Sequence, residues 1–172
     1  MVSIAQTALN TLFWEAAVML LVIGFVNMGG VGKNEPRDFG IVLLSGALME
    51  TIAMAFVIME GDIFGATVAA ALVLLLWMLG IGLIMGKNLM AMNHALWFTG
   101  LFFALITAEL IRMGAVTLSL AIGLLPIITI LLSIAHYLNM PLIGKVAGII
   151  SIIDGFAFFV LAFAGAAGMV LP

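Results

Sequence analysis

The chain has 172 residues, 66% of them hydrophobic and 8% charged, with a net charge of −3 and no cysteine. Soluble domains are about half apolar and about a quarter charged, so no soluble fold can hide this much apolar surface, and a mean hydropathy of +1.43 points to an integral membrane protein. Without cysteine there are no disulfides, thiolate metal sites or cysteine nucleophiles, and so small a net charge argues against nucleic acid as a partner.

Six apolar runs predict membrane helices at about 11–30, 39–59, 63–85, 95–112, 115–137 and 146–169, each near the roughly 20 residues that cross a bilayer. The runs are too long for barrel strands and do not alternate. The gaps between them are short, so residues 1–172 read as one transmembrane domain, an all-α bundle of six helices. The first run has no basic residue before it and no small-residue cleavage site after it, so it reads as a retained span.

The first helix holds Asn27 near one end, while Trp14 near the other fits an aromatic belt and Glu15 falls on the outer side. The first gap carries Lys33 and Arg37, the third Lys87 and the fifth Lys145; Arg112 alone lies on the opposite side. The positive-inside rule then puts the loops after helices one, three and five in the cytoplasm and both termini outside, in a cell (inner) membrane. Gly32-Lys33, Gly86-Lys87 and Gly144-Lys145 repeat a pair at that boundary. They could mark a triplicated hairpin; the plainer reading is that Gly ends helices and Lys marks the rim. They are not phosphate-binding loops, since the spaced glycine and the following Ser or Thr are missing.

An ionisable residue inside a span is a functional candidate by default. Glu50 sits near the middle of helix two with the small residues Gly46 and Ala53 on its face. Asp154 lies in helix six on a face with Ser151. Both residues can border a solute path or serve as protonated struts between helices. Trp77, in helix three, is open to either pore or lipid. Glu109 and Arg112 are spaced for an i,i+3 surface pair. Pro126 falls inside helix five, where it should kink the backbone. His94 and His136 stand alone near helix ends, without the convergent ligands that a metal needs. No nucleotide motif or catalytic constellation is present, so no enzyme activity and no cofactor are expected.

Lys33-Asn34-Glu35-Pro36-Arg37, Asn139-Met140-Pro141-Leu142-Ile143-Gly144-Lys145, Ile152-Ile153-Asp154-Gly155 and Trp97-Phe98-Thr99 together resemble the urea/amide channel family. That resemblance implies six helices per protomer, outward termini, a pore in each protomer and a ring-shaped homo-hexamer. It makes Asp154 the counterpart of the family's carboxylate on helix six. The match stops at helix five, where no tryptophan stands in Leu124-Leu125-Pro126-Ile127-Ile128-Thr129, and no outward-facing histidine supports acid gating.

Gly61-Asp62-Ile63-Phe64-Gly65-Ala66-Thr67 is similar instead to a segment of the acetate uptake transporters, which also form six-helix hexamers. That family's proline-rich opening is absent here, and its basic residues tend to lie in gaps two and four. The expected function is therefore a channel or facilitator for a small neutral or weakly acidic solute, urea or a short amide first. Acetate or another monocarboxylate is the alternative, and an accessory subunit of a larger membrane complex is the third reading. The candidate solute path comprises Glu50, Asp154, Asn27, Ser151, Trp77, Phe64 and Thr67, with lipid and other copies of the chain as the expected surroundings.

Overall fold

A computed structural model describes residues 4–30, 35–86 and 90–169. Gly32, Lys33, Asn34 and Lys87, which carried part of the orientation and repeat arguments, lie outside the described residues. The described chain contains no strand and forms six α-helices: α1 (Ile4–Asn27), α2 (Pro36–Met59), α3 (Ile63–Met85), α4 (Met90–Arg112), α5 (Val116–Tyr137) and α6 (Pro141–Ala166). All six are long and apolar enough to cross a membrane. Helices meet the bilayer's central demand, that each backbone donor and acceptor find a partner within its own segment.

Several helices start earlier than the apolar runs do. α1 begins at Ile4 rather than 11, α4 at Met90 rather than 95, and α6 at Pro141 rather than 146. For α2 and α6 the reason is a proline in the first turn, Pro36 and Pro141. Its fixed φ suits that turn, and the N–H it lacks would have had no helical partner there. The earlier start of α1 moves Trp14 away from the rim. It lies ten residues into the helix and packs on Phe159 of α6, with ring centroids 5.5 Å apart.

The ends are set by residues with left-handed backbone. Between α2 and α3, Gly61 (φ 83°) donates its N–H to the Ile58 carbonyl at 2.9 Å, and the Asp62 N–H reaches Val57 at 3.2 Å. This pair of reversed bonds closes the helix end. Asp62 then caps α3 by accepting the Gly65 N–H at 2.8 Å. Asn139 (φ 55°) plays the glycine's part after α5. The repeated Gly-Lys pairs have unlike roles: Gly86 is the left-handed cap of α3, whereas Gly144 is buried inside α6.

Helices adjacent in sequence are adjacent in space, and α6 returns to α1, so the six close into a ring. Packing is densest within α1–α6, α2–α3 and α4–α5, and sparser at α1–α2, α5–α6 and α3–α4. The dense seams bring backbones close. A Cβ on Gly24 of α1 would stand 2.7 Å from the Gly148 carbonyl oxygen of α6. One on Gly40 of α2 would stand 2.7 Å from the Gly80 carbonyl oxygen of α3. Small residues are the usual means of close helix approach in lipid, where dispersion replaces the hydrophobic effect. Two of the sparse seams use a different fit, a methionine in a glycine notch. The Met19 sulfur lies 2.5 Å from the Cβ position of Gly46, and the Met92 sulfur 2.7 Å from that of Gly82.

Inward faces fill the ring with an apolar core that includes Leu43, Leu75, Leu79, Leu125, Ile128 and Phe158. Outward faces stay apolar too: Leu142, Leu105 and Phe98 are exposed. Helices apolar on all sides suit a lipid-embedded bundle. α5 runs on through Pro126, and the Thr129 hydroxyl donates to the Leu125 carbonyl at 2.9 Å and the Pro126 carbonyl at 3.1 Å.

Candidate functional site

Because the helices alternate in direction, connections one, three and five share one end of the ring, and the outer ends of α1 and α6 share the other. A cavity of about 490 Å³ opens at the first end. Its polar lining is Asn27 at the end of α1, His136 in the last turn of α5, Asn139 in the following turn and Lys145 in the second turn of α6. Its apolar lining includes Phe39, Leu43, Leu79 and Leu132. A smaller cavity of about 100 Å³ lies at the opposite end, bordered by Phe13, Asp62, Phe64, Leu72, Ile122 and Phe158.

α3 and α5 each run from one cavity to the other. On α3 the residues between Leu72 and Leu79 include buried Leu75 and Leu76. On α5 those between Ile122 and Leu132 include buried Leu125, Ile128 and Thr129. Thr129's hydroxyl is already donated to its own helix, so the α3 and α5 faces between the cavities are apolar. α6, by contrast, carries buried Ser151 and Asp154 between its cavity-lining Lys145 and Phe158. Apolar constrictions can gate a path by dewetting.

The expected path residues divide sharply. Asn27 borders the larger cavity, and its Nδ2 donates to the Ile23 carbonyl at 2.8 Å. Gly144 and Gly148 of α6 leave room for it: a Cβ on Gly144 would stand 3.6 Å from Asn27 Oδ1. Phe64 borders the smaller cavity. The other five line neither. Trp77 is exposed on the outside of the ring. Thr67 is exposed and gives its hydroxyl to the Ile63 carbonyl at 2.7 Å. Ser151 is buried and gives its hydroxyl to the Ala147 carbonyl at 2.9 Å, so it is not spent on Asp154.

Glu50 and Asp154 are 1% and 0% exposed, and among the described residues no hydrogen-bond partner meets either oxygen of either carboxyl. A polar group left so in the interior costs about 1–3 kcal/mol, which makes both positions candidates for something other than packing.

Two features escaped the sequence. Ser133 of α5 donates to the Asn93 carbonyl of α4 at 3.0 Å, a buried cross-helix bond near the larger cavity's end. Glu15 is the second. With α1 starting at Ile4, it lies near mid-helix and is half-buried. The signal was its spacing: Ala8, Leu12, Glu15 and Met19 recur at helical intervals on one face.

The remaining ionisable groups have ordinary surroundings. Arg112 Nε donates to Glu109 Oε2 at 2.8 Å, and a second guanidinium nitrogen meets Oε1, forming the expected exposed pair. His94 is exposed. Among the described residues no three His, Asp or Glu side chains come together as a metal site would require. No protein-family model matches this sequence, and no curated protein matches it.

Proposed function

We propose that this chain is a channel-type facilitator for a small polar solute, urea or a short amide, with the path running through the ring of six helices. The observation that carries this reading is the pair of cavities at opposite ends of one ring, both bordered by α1, α3, α4, α5 and α6. A volume of about 490 Å³ at one end admits such a solute with water around it. The amides of Asn27 and Asn139 offer both donors and acceptors, the mixed lining that a neutral carbonyl compound needs. The apolar faces that α3 and α5 present beyond them favour small uncharged solutes over ions.

On this reading the larger cavity faces the cytoplasm of an inner membrane, since exposed Arg37 and Lys145 stand at that end, and protomers assemble as a ring-shaped homo-hexamer. Stopped-flow light scattering of proteoliposomes under urea, acetamide and acetate gradients tests it. Urea and acetamide should equilibrate faster than in empty vesicles; movement of acetate alone would overturn the amide reading.

One observation favours the second reading, a monocarboxylate facilitator. Lys145 borders the larger cavity, and no Asp or Glu does. A cationic mouth would draw in a carboxylate. The same measurement with Lys145→Gln separates the two: acetate flux should fall with the charge, and urea flux should not.

A further inference from the structure

α1 and α2 run antiparallel, and their contacts fix a register. Met19 fills the notch at Gly46. Toward the other end, Ala8 and Leu12 cluster with Ala53 and Val57. Stepping between these contacts, residue 15 falls opposite residue 50 (19 with 46, 15 with 50, 12 with 53, 8 with 57). Glu15 and Glu50 therefore face one another across the seam near the middle of both helices, and Glu15 acts electrostatically on Glu50. Glu50 is buried with both carboxyl oxygens unpartnered, and neither residue borders a cavity.

Among the described residues no cation is placed to balance the pair. α1 carries no other ionisable residue, and α3, on the far side of α2, carries none. α6, packed on α1, carries Asp154 near its middle and Lys145 at the Asn27 end of the ring, about 18 Å along α1 from Glu15 at 1.5 Å per residue. Arg37 and Asp38 lie in the first turn of α2, roughly 20 Å away along the helix at 1.5 Å per residue. Glu60 and Asp62 lie beyond its other end, about 15 Å away or more. Two carboxylates at facing positions of one seam, in a medium that solvates charge poorly, cannot both stay ionised without a counter-charge.

We propose that Glu15 and Glu50 form an intramembrane proton-binding site, with one proton shared between the two carboxyls across the α1–α2 seam. The proton adds to one carboxylate and is donated in a hydrogen bond to the other; loss of that proton leaves two negative charges facing each other. The surrounding side chains, Leu12, Met19 and Ala53, supply none of the further oxygens that a sodium ion would require. The site lies in one of the sparser seams, so its occupancy bears on how closely α2 sits on α1. The inference holds whatever solute the ring passes.

Infrared difference spectra of the protein in phosphatidylcholine vesicles, recorded as pH is stepped from acid to alkaline, test it. In D154N, which removes the other buried carboxyl, the protonated-carboxyl band should decay in two coupled steps. In that background E50Q should remove the coupled component and E15Q should reduce the decay to a single step. An E15Q titration identical to that of D154N alone would overturn the proposal, as would a band unaffected by E50Q. Exchanging choline for sodium at fixed pH should change nothing; a band abolished by sodium would mean a metal-cation site instead. Gel filtration in detergent checks that each variant keeps its assembly, and E15Q, at a half-buried position, keeps the test open should E50Q misfold.

Discussion

The ring is held by two kinds of seam. In α1–α6 and α2–α3 a glycine of one helix lies against a backbone carbonyl of the next. In α1–α2 and α3–α4 a glycine is met by the tip of a methionine. Backbone cannot retreat, but a thioether on three rotatable bonds can. The difference teaches that glycine count alone does not report rigidity; what meets the glycine does. It also explains where polar groups can be kept. The facing carboxyls of Glu15 and Glu50 occupy a methionine-type seam, which can yield by small amounts when charge changes.

The contrast can be broken most severely at Gly24. Gly24→Ala drives a methyl into the Gly148 carbonyl and the Ile152 backbone. We expect a loss at the upper end of the ~1–3 kcal/mol typical of overpacking, read as a fall in the thermal midpoint of the detergent-solubilised protein. Next comes Glu50→Met. With Glu15 as its proton-sharing partner, removal of the Glu50 carboxyl leaves the other carboxyl alone in the seam and should lower stability by on the order of 1 kcal/mol. The same denaturation assay shows it, and a raised midpoint would mean that the buried carboxyl has no stabilising partner.

Gly46→Ala should cost no more than the ~1 kcal/mol low end of the overpacking range, because Met19 can swing aside. In a Met19→Ala background that cost should vanish, and the departure from additivity measures the contact directly. Equal penalties for Gly24→Ala and Gly46→Ala would erase the distinction between the seams. Smallest of all is Glu109→Ala at the exposed pair, where we expect no measurable change in midpoint at physiological salt.

The six spans were legible because hydrophobic length is a direct physical requirement of the bilayer. Their starts were less so. Counting apolar residues stops at polar letters such as Asn93-His94 in α4 and so drops the turn that precedes them, and it ignored proline's suitability for the first turn at Pro36 and Pro141. The misplaced start of α1 had a consequence for the site: it moved Glu15 to the rim and hid its pairing with Glu50. Asn27 was found because a polar residue at a helix end falls where a cavity opens, and Phe64 came with the segment similar to the acetate transporters. Thr67 and Ser151 could not be judged from sequence, since a hydroxyl can satisfy itself on the carbonyl four residues back. The Gly61-Asp62…Gly65 portion of the acetate-transporter-like segment has a local explanation in turn and cap chemistry.

The closure of α6 onto α1 carries a consequence in time. Ribosomes deliver helices in order, at about 5–20 residues per second. α1 thus meets its densest partner only after α2 to α5 have been made. While α2 to α5 are being inserted, the glycine face of α1 that will receive Gly148 and Gly155 remains open to lipid or to a passing neighbour. Assembly of this bundle must therefore finish by a single late docking event, and a nascent chain arrested before Pro141 should be the form most readily captured by insertion chaperones or membrane proteases.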